Sequence, residues 1–284
     1  MAAEPEVVSI RSDGLDLYGR LRHSADEAPT LLLLPGLGFH TFEYEPLAAL
    51  LGVLGLNCLS LDYRGHGRSG GARGAWLLSD LVADARHAIG FVRARYPGPI
   101  ALFGNSLGAM VGILAGAVDD RVVAVAAANC PARTGDFLLT RPRRALFALG
   151  KLVAPLVPLR ISVNHFYSYE QLIDDRFWVS TFQRDPLITD ARRLSIPTYE
   201  TLLERWDGRS AVADLHKPLL LIQGANDQMQ PPQQSRLVFD AANDPKEYRT
   251  VDTGHLPHLE DSDTLGALLA EWLCPWLEGH GRRL

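Results

Sequence analysis

The chain has 284 residues, 47% hydrophobic and 21% charged, with a net charge of −5. That balance excludes a disordered chain and leaves no basic surface for nucleic acid, while the length suits one large α/β domain with room for an insertion. No uninterrupted apolar stretch is long enough to span a bilayer, and the acidic opening "MAAEPEVVSIRSDG", which has no apolar core, is not expected to act as a signal peptide.

In chain order, "VVSIRSDG" and "LDLYGRLRH" predict two strands around an Asp13-Gly14 turn. "TLLLLPG", residues 30–36, is a short apolar run ending in Pro-Gly, as for a strand buried on both faces. A helix over 43–53 and the strand "LNCLSLDYRG" come next. Apolar residues at helical spacing predict a helix over 79–96, stopped by Pro97-Gly98. "PIALFG" is then a strand, "SLGAMVGILAGAV" a helix and "RVVAVAAANC" a strand. Later come the strand "KPLLLIQG", a helix near 231–241, the strand "KEYRTVD" and the closing helix "DTLGALLAEWLCPWL". This alternation predicts a mostly parallel central sheet of about eight strands, with helices on both faces.

Residues 132–212 break the rhythm. They hold no buried-strand run, only amphipathic pieces interrupted by prolines. The expected organisation is a core of residues 1–131 and 213–284 with a helical cap over 132–212. "RPRRALFALGKLVAPLVPLR" within it is cationic and apolar, and reads as a lid solvated on its outer face rather than as a lipid-docking surface.

"ALFGNSLGAM" places Ser106 between Gly104 and Gly108, after a strand and before a helix. Gly-x-Ser-x-Gly in that setting is the pattern of a nucleophile elbow, a backbone too crowded for side chains at the flanking positions. A serine that merely caps the helix would leave a similar trace. The two are told apart by other residues, because a nucleophilic serine needs a base and a group to orient it. Asp227 lies in a loop just after the strand "LLLIQG", and His255 follows the last strand behind Gly254. Both sit at carboxyl ends of strands, where such sheets carry their sites. His258 is a rival base three residues on; His255 is preferred because it comes first after the strand, and His258 flanks a helix start. The backbone N–H groups of Leu37, in "PGLG" after the third strand, and of Leu107 are the natural oxyanion donors.

The segments "LLLLPGLGFH", "LDYRGHGRSGG", "GNSLG", "GANDQMQPP" and "GHLPHLE" together resemble the α/β-hydrolase superfamily over essentially the whole chain, closest to its monoacylglycerol-lipase-like and serine-aminopeptidase-like branch. "YRGHGRSGG" and "RDPLI" are similar to that branch. Two features depart from it: Pro35-Gly36 stands where His-Gly is usual, and "HFYSYEQLIDDRFWVSTF" matches no named subgroup. The resemblance implies an esterase or lipase with a cap over its acyl pocket. The expected substrate is a small molecule with an apolar acyl group, with Phe137, Phe147, Phe166, Trp178 and Phe182 as candidates for the pocket wall.

Other signals point elsewhere and fail. "GHGRSG" fits a dinucleotide-binding pattern, but no helix follows directly, the strand is not the first of the fold, and Arg64 and Arg68 crowd the loop. The histidines lack metal-ligand spacing, so neither metal nor cofactor is expected. Cys58, Cys130 and Cys274 are widely spaced and read as reduced thiols of a cytoplasmic protein. Thioester, lactone, amide or carbon–carbon cleavage and acyl transfer use the same machinery. A receptor that kept the pocket but lost turnover is the non-enzymatic alternative.

Overall fold

Short runs of five or six apolar residues set the architecture, because every side chain in them is buried on one face or the other. The computed structural model describes residues 4–278. Its strands are β1 (Glu6–Ser12), β2 (Leu15–Arg22), β3 (Thr30–Leu34), β4 (Asn57–Leu61), β5 (Ile100–Asn105), β6 (Val122–Ala128), β7 (Arg160–Ser162), β8 (Arg193–Ser195), β9 (Leu219–Gly224) and β10 (Lys246–Val251). Eight form one sheet in the order β1-β2-β4-β3-β5-β6-β9-β10. β1 with β2 and β2 with β4 pair antiparallel, and all other neighbours run parallel. This is the mostly parallel sheet that the strand–helix alternation predicts.

All residues of β3, β4, β5 and β9 are buried. Their two-residue period divides them between two cores. Leu32, Leu34, Leu102 and Leu221 pack beneath helices Leu78–Arg95 and Leu107–Val118. Leu31, Leu33, Phe103 and Ile222 pack against helices Glu45–Val53 and Ser262–Glu278.

Between β6 and β9 the chain adds no strand to this sheet. It forms several short helices and a small antiparallel ladder of β7 with β8. The sequence pattern shows only broken helices here; strands of three residues are too short to carry a readable period. The two ends of the segment meet. The Gly208 N–H donates to the Ala132 carbonyl (2.8 Å), and Trp206 Nε1 donates to the Pro131 carbonyl (2.7 Å). The segment docks on the loop before helix Leu78–Arg95: the Ser195 N–H donates to the Gly74 carbonyl (2.8 Å), and Thr198 Oγ1 donates to the Trp76 carbonyl (2.7 Å). Its helix Arg141–Val153 does not turn all its apolar residues inward. Phe147 is buried, and Gly150 lets Ile196 approach closely, but Leu146, Leu149 and Leu152 on the other side are exposed.

One buried ion pair braces the loop after β4. Asp84, wholly buried in helix Leu78–Arg95, accepts from Arg64 Nη2 (2.7 Å), Arg64 Nε (3.0 Å), the Arg64 N–H (2.9 Å) and Ser12 Oγ (2.7 Å). Removing Asp84 leaves Arg64 with the more exposed Asp13 carboxylate (2.7 Å) as its remaining counter-charge. Asp84→Ala is expected to lose about 3–5 kcal/mol of unfolding free energy in urea melts; a loss under about 1 kcal/mol would show that the pair adds little.

Candidate active site

The six parallel-paired strands β4, β3, β5, β6, β9 and β10 end at the same edge of the sheet, and the loops leaving β3, β5, β9 and β10 carry the residues that the sequence singles out. The tightest is the turn after β5. Ser106 has φ 56° and ψ −113°, in the left-handed region of φ that is strained for a residue with a Cβ. Its N–H donates to the Ala128 carbonyl at the end of β6 (2.9 Å), and its own carbonyl accepts the N–H groups of Ala109 (3.0 Å) and Met110 (3.2 Å) in helix Leu107–Val118. A Cβ on Gly104 would overlap the Gly108 carbonyl oxygen, and one on Gly108 would overlap the Leu34 carbonyl oxygen of β3. Both positions therefore require glycine, and the serine between them is carried outward at a helix N-terminus.

Ser106 opens onto a pocket that Leu37 and Leu107 also line. The rest of its wall is largely apolar, including Met110, Phe137, Phe166, Leu202 and Met229, and none of the lining residues is charged. Of the five aromatic residues expected at this wall, only Phe137 and Phe166 are there. Phe147 stands behind it against Tyr199, at a ring distance of 6.4 Å. Trp178 and Phe182 turn instead to the loop after β3: Phe182 packs edge-on against Phe39 (4.9 Å) and Trp178 against Phe42 (6.3 Å). These aromatics fasten the inserted segment to the sheet edge.

Asp227 and His255 are paired. His255 Nδ1 donates to Asp227 Oδ2 at 2.7 Å, with both side chains all but excluded from solvent. The other carboxylate oxygen accepts the N–H groups of Met229 and Gln230, both at 2.9 Å. Bonded this way, the imidazole keeps Nε2 as its acceptor. No hydrogen bond joins His255 to Ser106 among the described residues. The link between them runs through the backbone. The His255 carbonyl accepts from Asn105 Nδ2 (3.0 Å), on the residue before the serine, and from Asn129 Nδ2 (2.9 Å).

The sequence model of the family described as "Serine aminopeptidase, S33" matches residues 25–261, which include every one of these positions. The chain belongs to that family. It is an α/β hydrolase with relatives among ester hydrolases. It is 26% identical over 271 residues to the monoacylglycerol lipase of Mycolicibacterium smegmatis, covering 90% of each chain. To the human monoglyceride lipase it is likewise 26% identical over 271 residues, covering 92% of this chain and 87% of that one. Among solved structures, the monoacylglycerol lipase of Paleococcus ferrophilus superposes with a TM-score of 0.75 at 23% identity, over 92% of this chain and 99% of that one.

Several residues of this hydrolase matter to the site without having been legible in its sequence. Glu260 accepts the N–H groups of Gly254 (2.7 Å) and Leu256 (3.1 Å), one on each side of His255, and burial raises its carboxyl above the usual range. Asn105 and Asn129 hold the same loop from the sheet. The only trace of Glu260 in the sequence is its place at the end of "GHLPHLE", ahead of the predicted closing helix. Among the described residues, no group of three or more His, Cys, Asp or Glu side chains could hold a metal ion, and no helix is long and apolar enough to cross a membrane.

His258 has a different setting from His255. It is buried, its ring is stacked on Tyr44 at 4.2 Å, and neither of its nitrogens has a hydrogen-bond partner among the described residues. Burial, with His255 nearby, pushes its pKa from 6.5 down to about 3. Below pH 6.5 the unfolded chain would therefore bind a proton at this residue that the folded chain refuses. Its stabilising contribution is complete above pH 6.5 and is lost as pH falls toward 3. In melts from pH 7 down to pH 4 the stability of wild type relative to His258→Phe is expected to fall steadily, whichever is the more stable at pH 7; a difference that does not change with pH would show that His258 does not titrate on unfolding.

Proposed function

We propose that this hydrolase cleaves carboxylic esters with an apolar acyl group, through an acyl-enzyme formed on Ser106. The Asp227–His255 pair, held by its carbonyl to the strand that presents Ser106, carries this reading. Asp227 fixes the imidazole with Nδ1 protonated, so Nε2 takes the proton from Ser106 Oγ as that oxygen attacks the acyl carbon. The negative charge that develops on the carbonyl oxygen is met by the Leu37 and Leu107 N–H groups. His255 then gives its proton to the departing alcohol. Water attacks the acyl-enzyme with His255 again as base, and Ser106 recovers its proton. These steps call on no cofactor.

Residues 132–212 serve in this reading as the cap, supplying Phe137, Phe166, Leu202 and other apolar side chains to the acyl pocket. The lack of any charge among the lining residues favours a neutral substrate, and the monoacylglycerol lipases among the relatives agree with a fatty acyl ester.

A fluorophosphonate is expected to label wild type but not Ser106→Ala. Ser106→Ala and His255→Ala should each lose roughly 10⁴-fold or more in kcat/KM on esters, whereas His258→Phe should stay within about tenfold of wild type. Ser106→Ala turnover within about tenfold of wild type would refute the reading. A second expectation concerns chain length. Each buried methylene contributes about 0.8 kcal/mol, so kcat/KM should rise by more than about tenfold from acetyl to medium-chain esters. A preference for acetyl esters would remove the acyl-pocket role of the cap.

A further inference from the structure

Gln230 follows Asp227 by three residues, bonds its N–H to the Asp227 carboxylate (2.9 Å), and lines the pocket that holds Ser106. It is almost wholly buried, at 1% exposure. Its side-chain amide is not free to turn. Ser235 Oγ lies 2.6 Å from Gln223 Oε1 and 3.1 Å from the Cys130 carbonyl, two acceptors that compete for its single proton. Gln223 Nε2 is committed to the Gly224 carbonyl (2.9 Å), which leaves its oxygen toward Ser235. Ser235 can therefore meet Gln230 only as an acceptor, and Gln230 Nε2 donates to it at 3.1 Å. The relay runs one way, from Gln230 through Ser235 to Gln223, and it leaves Gln230 Oε1 as the spare end. Among the described residues no donor reaches that oxygen.

A buried amide oxygen without a donor is unfavourable, and native proteins retain few of them. This one belongs to a residue in the wall of an otherwise largely apolar pocket. We propose that Gln230 determines specificity: its Oε1 accepts a hydrogen bond from a neutral O–H or N–H that the substrate carries close to its scissile ester, on an otherwise apolar body. A substrate with an ether or carbonyl oxygen there would meet a second acceptor and be disfavoured. An ammonium would find no counter-charge among the lining residues. The proposal rests on the ester-hydrolase reading above. The donor can be carried by the acyl chain or by the leaving alcohol, and the two are separable by experiment.

Two matched pairs of esters test this. One compares butanoate with 3-hydroxybutanoate on the same alcohol; the other compares propanol with 1,3-propanediol as the alcohol of a butanoate. Wild type, Gln230→Met and Ser235→Ala are assayed on each. The readout is the ratio of kcat/KM for the hydroxylated and plain members within each protein, so a general loss of activity cancels. Wild type is expected to favour the hydroxylated member of one pair by about tenfold, and the pair that responds identifies the half carrying the donor. Gln230→Met should bring that ratio near one. Ser235→Ala, which frees the Gln230 amide to turn, should lower it as well, and serves alone if Gln230→Met does not fold. Turnover of the plain esters with no preference in either wild-type pair, or a preference unchanged in the variants, overturns the role of Gln230 and leaves the hydrolase reading standing. No wild-type turnover of any of these esters, with no fluorophosphonate labelling, overturns both.

Discussion

The first turn of helix Leu107–Val118 lies directly against the end of β3, and the geometry around Ser106 depends on that contact. A Cβ at Gly108 would collide with the Leu34 carbonyl, so the approach exists only because glycine stands there. It brings two loops from neighbouring parallel strands to one spot: β3 delivers Leu37, and β5 delivers Ser106 and Leu107 to the same pocket. The strained backbone at Ser106 is tolerable because the surrounding sheet is over-determined. Its N–H is held by Ala128, and the strands beside it are buried on both faces. The chemistry proposed for the site needs donors and nucleophile fixed before substrate arrives, and a sheet edge packed this tightly meets that need.

The imidazole is placed by a different means. Nothing in the local sequence forces the loop after β10 into one shape, so its backbone is fastened from several sides. Asn105 and Asn129 hold the His255 carbonyl, the Leu172 carbonyl accepts the His255 N–H (3.2 Å), and Glu260 grips the N–H groups on either side. Of the two histidines in this loop, one is bonded to a carboxylate and the other stacks on Tyr44 as a neutral core residue. Three residues of spacing separate a polar environment from an apolar one.

Much of this was legible in the chain because it is locally encoded. Buried strands betray themselves as short apolar runs, Gly104 and Gly108 mark a crowded turn, and Asp227 and Gly254-His255 stand immediately after strands that the apolar pattern identifies. What stayed hidden is non-local. Trp178 and Phe182 look like pocket aromatics by composition, yet Phe39 and Phe42 claim them, and that depends on how the inserted segment docks. Gln230 looks like an ordinary loop glutamine until Ser235 and Gln223 fix its orientation. Helix Arg141–Val153 presents Phe147 and Gly150 to the protein and leaves Leu146, Leu149 and Leu152 exposed, a choice of face that its apolar pattern does not decide. Residue type sets what a side chain can do; its partner, often a hundred positions away, sets what it does.

The bonds joining Ala132 to Gly208 and Pro131 to Trp206 bear on how such a chain can vary. From the standpoint of the sheet, residues 133–207 begin and end at one point. The entropy of closing a loop grows only slowly with its length. β6 and β9 therefore pair almost indifferently to how many residues lie between them, provided the two stems still meet. Pro131, which lines the pocket while its carbonyl receives Trp206, stands where the two halves of the problem touch. The stems fix where an insertion leaves the sheet, and everything beyond them is free to be rebuilt around a new ligand while the edge carrying Ser106 stays as it is.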